Sequence, residues 1–339
     1  MCAARLPAVA RAERRSDQPI PPRRSQRAAQ VWAIAIAVAV SCCAGWYGFV
    51  RDDHGGVRPG EGATTAMPLP WPDGGQSSVT VEGLGSLGSK GEREPVPIAS
   101  VTKVMTAYVI LRDHPLSGAE TGPVIEVDQA AADESLSREE SSAPVREGLR
   151  LTERQLLEMM LIPSGNNVAR LLARWDAGTQ ESFVAKMNRA ATGLGMTRTT
   201  YTGASGIEPT TTSTAVDQLK LARQVMKDEV FRSIVAKPST TIPGVPGTIA
   251  NTNPLLGRSG VIGLKTGSST PAGGALMWAA EATAGGRTWL ILGVVLHQRA
   301  GTTPATGLQA ALGNSEKLIS AVQESLPAAV TARHRQSTP

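Results

Sequence analysis

Residues 97–111 read PIASVTKVMTAYVIL and contain the first sign of both the fold and the site. The apolar residues of this stretch recur at helical spacing, which predicts a helix that has Ser100 as its N-cap and runs into the interior. Residues three apart on a helix lie on one face, so the amine of Lys103 can reach the hydroxyl of Ser100. Such a pair can act as a nucleophile and its base. Taken alone, the simpler interpretation is a capping serine followed by a solvated lysine.

Two further short motifs follow along the chain, in contexts that match the first. Ser164-Gly165-Asn166 occupies a tight break between two predicted helices. Lys265-Thr266-Gly267 lies in an extended apolar run beside a glycine-rich turn. Any one of these motifs carries little weight in a chain of 339 residues. We interpret the three as one constellation because each stands where acyl-transfer chemistry needs it.

Acyl transfer needs a hydroxyl, a nearby base, a proton path to the leaving amine and donors for the developing oxyanion. Burial and a second cation at Lys265 both favour the neutral form of Lys103, which an active base requires. The predicted catalytic residues are Ser100 as nucleophile, Lys103 as general base and Ser164 as proton shuttle. Asn166 is predicted to bind a substrate carbonyl, Lys265 and Thr266 to bind a carboxylate, and Gly267 to leave the approach unobstructed. The backbone N–H groups of Ser100 and Ser268 are the predicted donors to the oxyanion.

The flanking sequence predicts an α+β fold. SVTVEGL, from residue 78, alternates like a strand, and three apolar runs divided by glycine-rich turns predict an antiparallel meander near the C-terminus. Helical patterns lie between them, including one that Thr152 opens with Gln155 as its capping-box partner. We expect an antiparallel sheet of about five strands covered by helices, in a catalytic domain over 78–326 with a disordered tail over 327–339.

Composition excludes several classes of function. The net charge of +5 comes entirely from the arginines of residues 1–30, so the predicted domain is neutral overall and a nucleic-acid surface is not expected. No cysteine follows Cys43, which removes thiolate chemistry, and the histidines are scattered without metal-ligand spacing. We therefore expect neither a metal nor a cofactor.

The N-terminal sequence predicts the location of the domain. Residues 31–50 carry no charge and are long enough for a membrane span, and the arginines of 1–30 precede it. The positive-inside rule then places a cytoplasmic lead at 1–30 and, beyond a Gly- and Pro-rich flexible linker at 51–77, the domain outside the cell. A cleaved signal peptide and a lipoprotein-type cleavage at Cys42 are the alternatives, and both also export the domain.

With their neighbours, the motifs resemble those of the serine D-Ala-D-Ala carboxypeptidases, the low-molecular-mass penicillin-binding proteins. The resemblance covers roughly 78–326 and includes LLEMMLIPSGNNVARLLA, KMNRAATGLGMTRTTYTGASGI, NTNPLLG and GLKTGSSTPAGGAL. It implies a β-lactamase/penicillin-binding-protein transpeptidase-like fold, an acyl-enzyme on Ser100 that releases the terminal D-alanine of peptidoglycan stem peptides, and inhibition by β-lactams. It also implies a late arginine that binds the substrate carboxylate, for which Arg299 is a candidate.

Two other functions stay open. A class A β-lactamase resembles this pattern but needs a glutamate in an E-x-x-x-N arrangement after the second motif, and neither Glu181 nor Glu208 has one. A non-catalytic module that binds peptidoglycan or β-lactams would keep the fold alone. Such a module has no chemical reason to retain all six polar side chains of the three motifs.

Overall fold

Three long apolar runs form adjacent strands of one antiparallel sheet in the computed structural model, which describes residues 67–91 and 94–336. The spatial order of the sheet is β2-β1-β11-β10-β9. The short strands pair outside it, β3 with β6, β4 with β5 and β7 with β8. The strands are β1 (Gln76–Val81), β2 (Gly85–Lys90), β3 (Val96–Pro97), β4 (Val124–Glu126), β5 (Arg150–Thr152), β6 (Thr212–Ser213), β7 (Ser239–Thr240), β8 (Ile249–Ala250), β9 (Val261–Ser269), β10 (Gly273–Ala284) and β11 (Arg287–Gln298).

The helices lie mainly between the first strands and the meander. Thr152 caps α3 as predicted, because its hydroxyl accepts from the Gln155 N–H while the Gln155 side chain accepts from the Thr152 N–H. Two short helices, α2 (Gln129–Glu134) and α7 (Glu229–Val235), were not predicted. The helices are α1 (Lys103–Asp113), α2 (Gln129–Glu134), α3 (Glu153–Leu161), α4 (Asn166–Ala177), α5 (Gln180–Gly193), α6 (Ala215–Val225), α7 (Glu229–Val235) and α8 (Pro304–Gln336).

The sheet separates two apolar layers. Along β10, Met277 and Ala279 face a core shared with the inserted helices, while Leu276 and Trp278 face a second core beneath α8. Gly293 of β11 pairs with Trp278, and a Cβ at 293 would overlap the indole ring. The α+β fold with five antiparallel strands covered by helices, predicted from the sequence, is therefore confirmed.

The predicted boundaries need correction at both ends. Met67 and Leu69 are buried in the second core, so the last part of the predicted linker packs against the domain. Helix α8 continues to Gln336, and the predicted disordered tail is wrong for 327–336. Val330 is buried there and extends an i, i+4 apolar stripe past Pro327.

The predicted lead at 1–30, membrane span at 31–50 and first part of the linker lie outside the described residues. Among the residues that are described, no helix has the length and hydropathy that a bilayer crossing requires.

Candidate active site

Ser100 lies in a 3-10 turn, Ala99–Thr102, that precedes α1. The prediction that Ser100 caps the helix is wrong: Ile98 is the N-cap of the turn and α1 begins at Lys103. Ala99 has a φ of 46°, and the Thr102 hydroxyl donates to Ala99 O at 2.8 Å. This turn leaves Ser100 half-buried while the next residues enter the core.

Lys103 is completely buried and its amine contacts three polar atoms. Nζ lies 2.8 Å from Ser100 Oγ, 2.5 Å from Asn166 Oδ1 and 2.9 Å from the carbonyl oxygen of Ser205. A neutral amine has two N–H groups and one lone pair. The amide and carbonyl oxygens accept the two N–H groups, which leaves the lone pair for the Ser100 hydroxyl.

The electrostatic surroundings favour that neutral form. Burial lowers the pKa of Lys103 well below its usual value, and the charges of Lys265 and Arg170 lower it further. Glu140 and Glu208 act in the opposite direction but have the smaller effect. The charge of Lys265 thus lowers the pKa of Lys103 in the direction expected from the sequence, as a smaller cause than burial.

Asn166 opens α4, and both ends of its amide are engaged. Oδ1 contacts Lys103, while Nδ2 donates to Glu140 Oε2 at 2.7 Å. Arg170, one turn further along α4, pairs with the same carboxylate. Neither Glu140 nor Arg170 was predicted from the sequence as part of the site.

Ser164 lies in the helix break, with a φ of 70° and only 4% exposure. Within the described part of the chain its hydroxyl has no hydrogen-bond partner, so it is not joined to Ser100 or Lys103. Gly165 beside it has no room for a side chain, because a Cβ would lie 2.8 Å from the Met159 carbonyl oxygen. The Ser164 hydroxyl is thus buried and makes no hydrogen bond within the described residues.

Strand β9, at the edge of the sheet, runs against the 3-10 turn. A Cβ at Gly267 would lie 3.1 Å from the Ser100 nitrogen and 3.0 Å from Ile98 O, so the two backbones meet here. Thr266 is buried and shares a 2.6 Å hydrogen bond with Thr252, and Ser268 is half-buried one residue after Gly267. The third motif therefore reaches the nucleophile through its backbone.

Lys265 is 1% exposed, and its amine donates to the Thr266 carbonyl oxygen at 3.0 Å. Burial lowers its pKa to about 7. A lysine in this state can carry or release its charge near neutral pH.

Ser205 supplies a backbone carbonyl that was not predicted as part of the site. It lies in the sequence GASGI, next to Gly206, whose φ is 82° and which packs against the turn so closely that a Cβ would overlap Ala99 O. The glycine allows the loop to approach, and the loop delivers the carbonyl to Lys103.

A half-buried hydroxyl against a buried amine, beside an edge strand, is an arrangement for serine acyl transfer. Residues 85–299 match the family described as D-alanyl-D-alanine carboxypeptidase, peptidase family S11. The chain belongs to this family of serine peptidases, which confirms the resemblance stated from the three motifs, and its reaction is hydrolysis at D-alanyl-D-alanine termini of peptidoglycan.

Individual proteins similar to this chain have names that match the family. The D-alanyl-D-alanine carboxypeptidase of Streptomyces sp. (strain K15) is 36% identical over 213 residues, 58% of this chain and 71% of that one. D-alanyl-D-alanine carboxypeptidase DacB2 of Mycobacterium tuberculosis is 34% identical over 216 residues, 61% and 71% of the two chains. The crystal structure of the Streptomyces K15 DD-transpeptidase superposes with a TM-score of 0.64 at 30% identity, covering 75% of this chain and 98% of that one.

Proposed function

We propose that this chain removes the terminal D-alanine of peptidoglycan stem peptides through an acyl-enzyme on Ser100, with Lys103 as the general base. The observation that carries the proposal is the 2.8 Å contact between Lys103 Nζ and Ser100 Oγ, made while two oxygens accept the N–H groups of the amine. Oγ attacks the carbonyl carbon of the scissile peptide bond and its proton passes to Nζ. The tetrahedral intermediate then expels D-alanine, and water hydrolyses the ester.

The leaving amine needs a proton. The buried and uncommitted hydroxyl of Ser164 supports a role as the carrier between Lys103 and that amine. The N–H groups of Ser100 and Ser268 are our candidates for stabilising the oxyanion, since β9 meets the turn at Gly267 between them.

We propose that the substrate carboxylate binds at the C-terminal end of β9, where Ser268 and Ser269 are half-buried. Lys265 and Thr266 lie on this strand, whose outer edge can pair with an extended peptide. Arg299 follows β11 at the same end of the sheet, because Gln298 and Ser268 both pair with Gly274. We assign the carboxylate to these cations.

β-Lactams acylate Ser100 in this proposal, because their strained amide occupies the position of the scissile bond. Family membership and the absence of E-x-x-x-N after the second motif favour a long-lived adduct over β-lactamase turnover. The intact contact between Ser100 and Lys103 argues against a binding module without activity.

The test is mass spectrometry of the protein incubated with a diacyl-D-Ala-D-Ala peptide and, separately, with penicillin. We expect released D-alanine and a penicilloyl adduct on Ser100, both lost in Ser100→Ala. Rapid hydrolysis of penicillin without a persistent adduct would support a β-lactamase, and binding without D-alanine release would support the inactive module.

A further inference from the structure

Behind Asn166 lies a chain of ionic side chains that the reaction scheme does not use. Asn166 Nδ2 donates to Glu140 at 2.7 Å, the Arg170 guanidinium holds both oxygens of that carboxylate, and Arg170 Nε donates to Glu134 at 2.8 Å. The side chains of Arg170 and Glu140 are only 12% and 13% exposed. We call these four residues the Asn166 network.

The network determines which way the Asn166 amide points. A primary amide has an oxygen that only accepts and a nitrogen that only donates, whereas a carboxylate only accepts. Glu140 therefore requires the amide nitrogen on its own side, which places Oδ1 against Lys103. Arg170 fixes the carboxylate through paired hydrogen bonds, the geometry that best resists rotation.

The direction of the amide matters for the base. With Oδ1 and the Ser205 carbonyl as acceptors, both N–H groups of neutral Lys103 are engaged and its lone pair remains for Ser100. With the amide reversed, Nδ2 would donate to that lone pair and compete with the Ser100 hydroxyl for it. The orientation of the Asn166 amide thus determines whether the lone pair of Lys103 is available to the Ser100 hydroxyl.

We propose that Glu140, held by Arg170, is a positioning residue for acylation, because it fixes the Asn166 amide so that Lys103 presents its lone pair to Ser100. The proposal rests on the proposed function of Ser100 and Lys103. It adds to them Glu140 and Arg170, whose hydrogen bonds reach Asn166 and not Ser100.

The loop that carries Glu140 is also attached to α4 by backbone contacts. Asn166 N donates to Ser141 O at 2.8 Å, and the Asn167 side chain accepts from Ala143 N and donates to Ala143 O, each at 2.9 Å. These bonds do not involve the Glu140 side chain. A variant at Glu140 therefore leaves these bonds to the loop in place, and it removes the carboxylate that holds the Asn166 amide and pairs with Arg170.

The experiment compares Glu140→Ala and Glu140→Gln with the wild-type protein. The rates are acylation of Ser100 by a fluorescent penicillin and release of D-alanine from a diacyl-D-Ala-D-Ala peptide. We expect Glu140→Ala to lower both by about 100-fold, the scale at which a small misplacement acts on a catalytic group. Glu140→Gln should retain most of the activity, because its amide oxygen can still accept from Asn166.

Arg174→Met is the matched control. Arg174 lies one turn beyond Arg170 on the same helix and makes a similar bidentate ion pair, with Asp128 at 2.7 and 2.8 Å. This pair has no hydrogen bond to Asn166. Its loss should leave both rates at the wild-type value.

A pH profile separates positioning from structural support. The charge of Glu140 raises the pKa of Lys103, so its removal in Glu140→Gln should move the acid limb of kcat/KM to lower pH. The charges of Lys265, Arg170 and Glu208, which also act on Lys103, are unchanged in that variant. A residue that only supported the fold would scale the whole profile without moving the limb.

Wild-type rates in Glu140→Ala, or an acid limb that stays in place in Glu140→Gln, would overturn the proposal. If Glu140→Ala shows no cooperative unfolding transition and is therefore misfolded, the pH profile of Glu140→Gln alone tests the positioning role of Glu140. Activity that persists in Ser100→Ala would instead overturn the proposed function, so the two failures are distinguishable.

Discussion

The two lysines of the site are buried to nearly the same degree, at 0% exposure for Lys103 and 1% for Lys265. They are assigned opposite charge states in the reaction. Lys103 must be neutral to accept the Ser100 proton, whereas Lys265 must be charged to bind a carboxylate. The nearby positive charge of Lys265 lowers the pKa of Lys103 and so helps to keep Lys103 neutral while Lys265 is charged.

We expect a bell-shaped dependence of kcat/KM on pH for a D-Ala-D-Ala peptide. The acid limb rises as Lys103 loses its proton, and the basic limb falls through about pH 7, where Lys265 loses its own. A bound carboxylate stabilises the ammonium of Lys265, so kcat should decline only at higher pH. Steady-state kinetics across the pH range measure both limbs.

Lys265→Arg is the control for this profile, because a guanidinium stays charged throughout the range. Its basic limb near neutral pH should disappear. A wild-type kcat/KM that stays constant between about pH 6 and 9 would contradict the assignment of Lys265.

Residue-level prediction from the sequence succeeded where chemistry and spacing coincide. The i, i+3 relation between Ser100 and Lys103 follows from helical geometry, and the structure brings the two into contact. The role of the Ser205 carbonyl could not be predicted from the sequence, because every residue has a backbone carbonyl. Glu140 lies 26 positions from Asn166 in an acidic loop, where a sequence cannot distinguish a bound carboxylate from a solvated one.

At the scale of elements, the site depends on the contact between β9 and the 3-10 turn. Gly267 is the point of closest approach, with the nitrogens of Ser100 and Val101 at 3.1 and 3.0 Å from where its Cβ would lie. Such distances are tighter than ordinary van der Waals contact, so a side chain would separate the strand from the nucleophile.

Gly267→Ala is therefore expected to lower the rate of Ser100 acylation by at least about tenfold, through displacement of the oxyanion donors. The fluorescent-penicillin assay measures the rate, and circular dichroism reports whether the sheet persists. Gly313→Ala is the control, since a Cβ in that part of α8 meets nothing within 4 Å. Unchanged acylation in Gly267→Ala would show that the close contact is not required.

The elements predicted from the sequence are those with long apolar patterns. The three strands of the meander and the helix that Thr152 opens have such patterns, and all form. Helices α2 and α7 are too short to show a clear period. A 3-10 turn stands at Ser100 where the first helical turn was predicted, and Gly206 and β9 pack against it through contacts that local sequence does not contain.

At the scale of the whole molecule, the N-terminal sequence bears on where the domain works. We propose that residues 31–50 anchor it in the cytoplasmic membrane with the catalytic part outside, as the arginines of 1–30 and the uncharged run indicate. Peptidoglycan lies on that side of the membrane.

Fractionation of cells that express the full chain tests this location. We expect the protein in the membrane fraction, resistant to alkaline carbonate extraction and accessible to protease added from outside. Recovery in the medium would indicate a cleaved signal peptide instead. Recovery from the cytosol as an active soluble enzyme would contradict export in any form.

The pair of buried lysines also has a consequence for how this fold tolerates change. An amine enclosed in a protein interior disfavours the compact state, and aliphatic replacements of similar size remove that burden. Random libraries screened only for thermal stability should therefore enrich substitutions at Lys103 and Lys265. The selected variants would be more stable than the wild type and catalytically inactive.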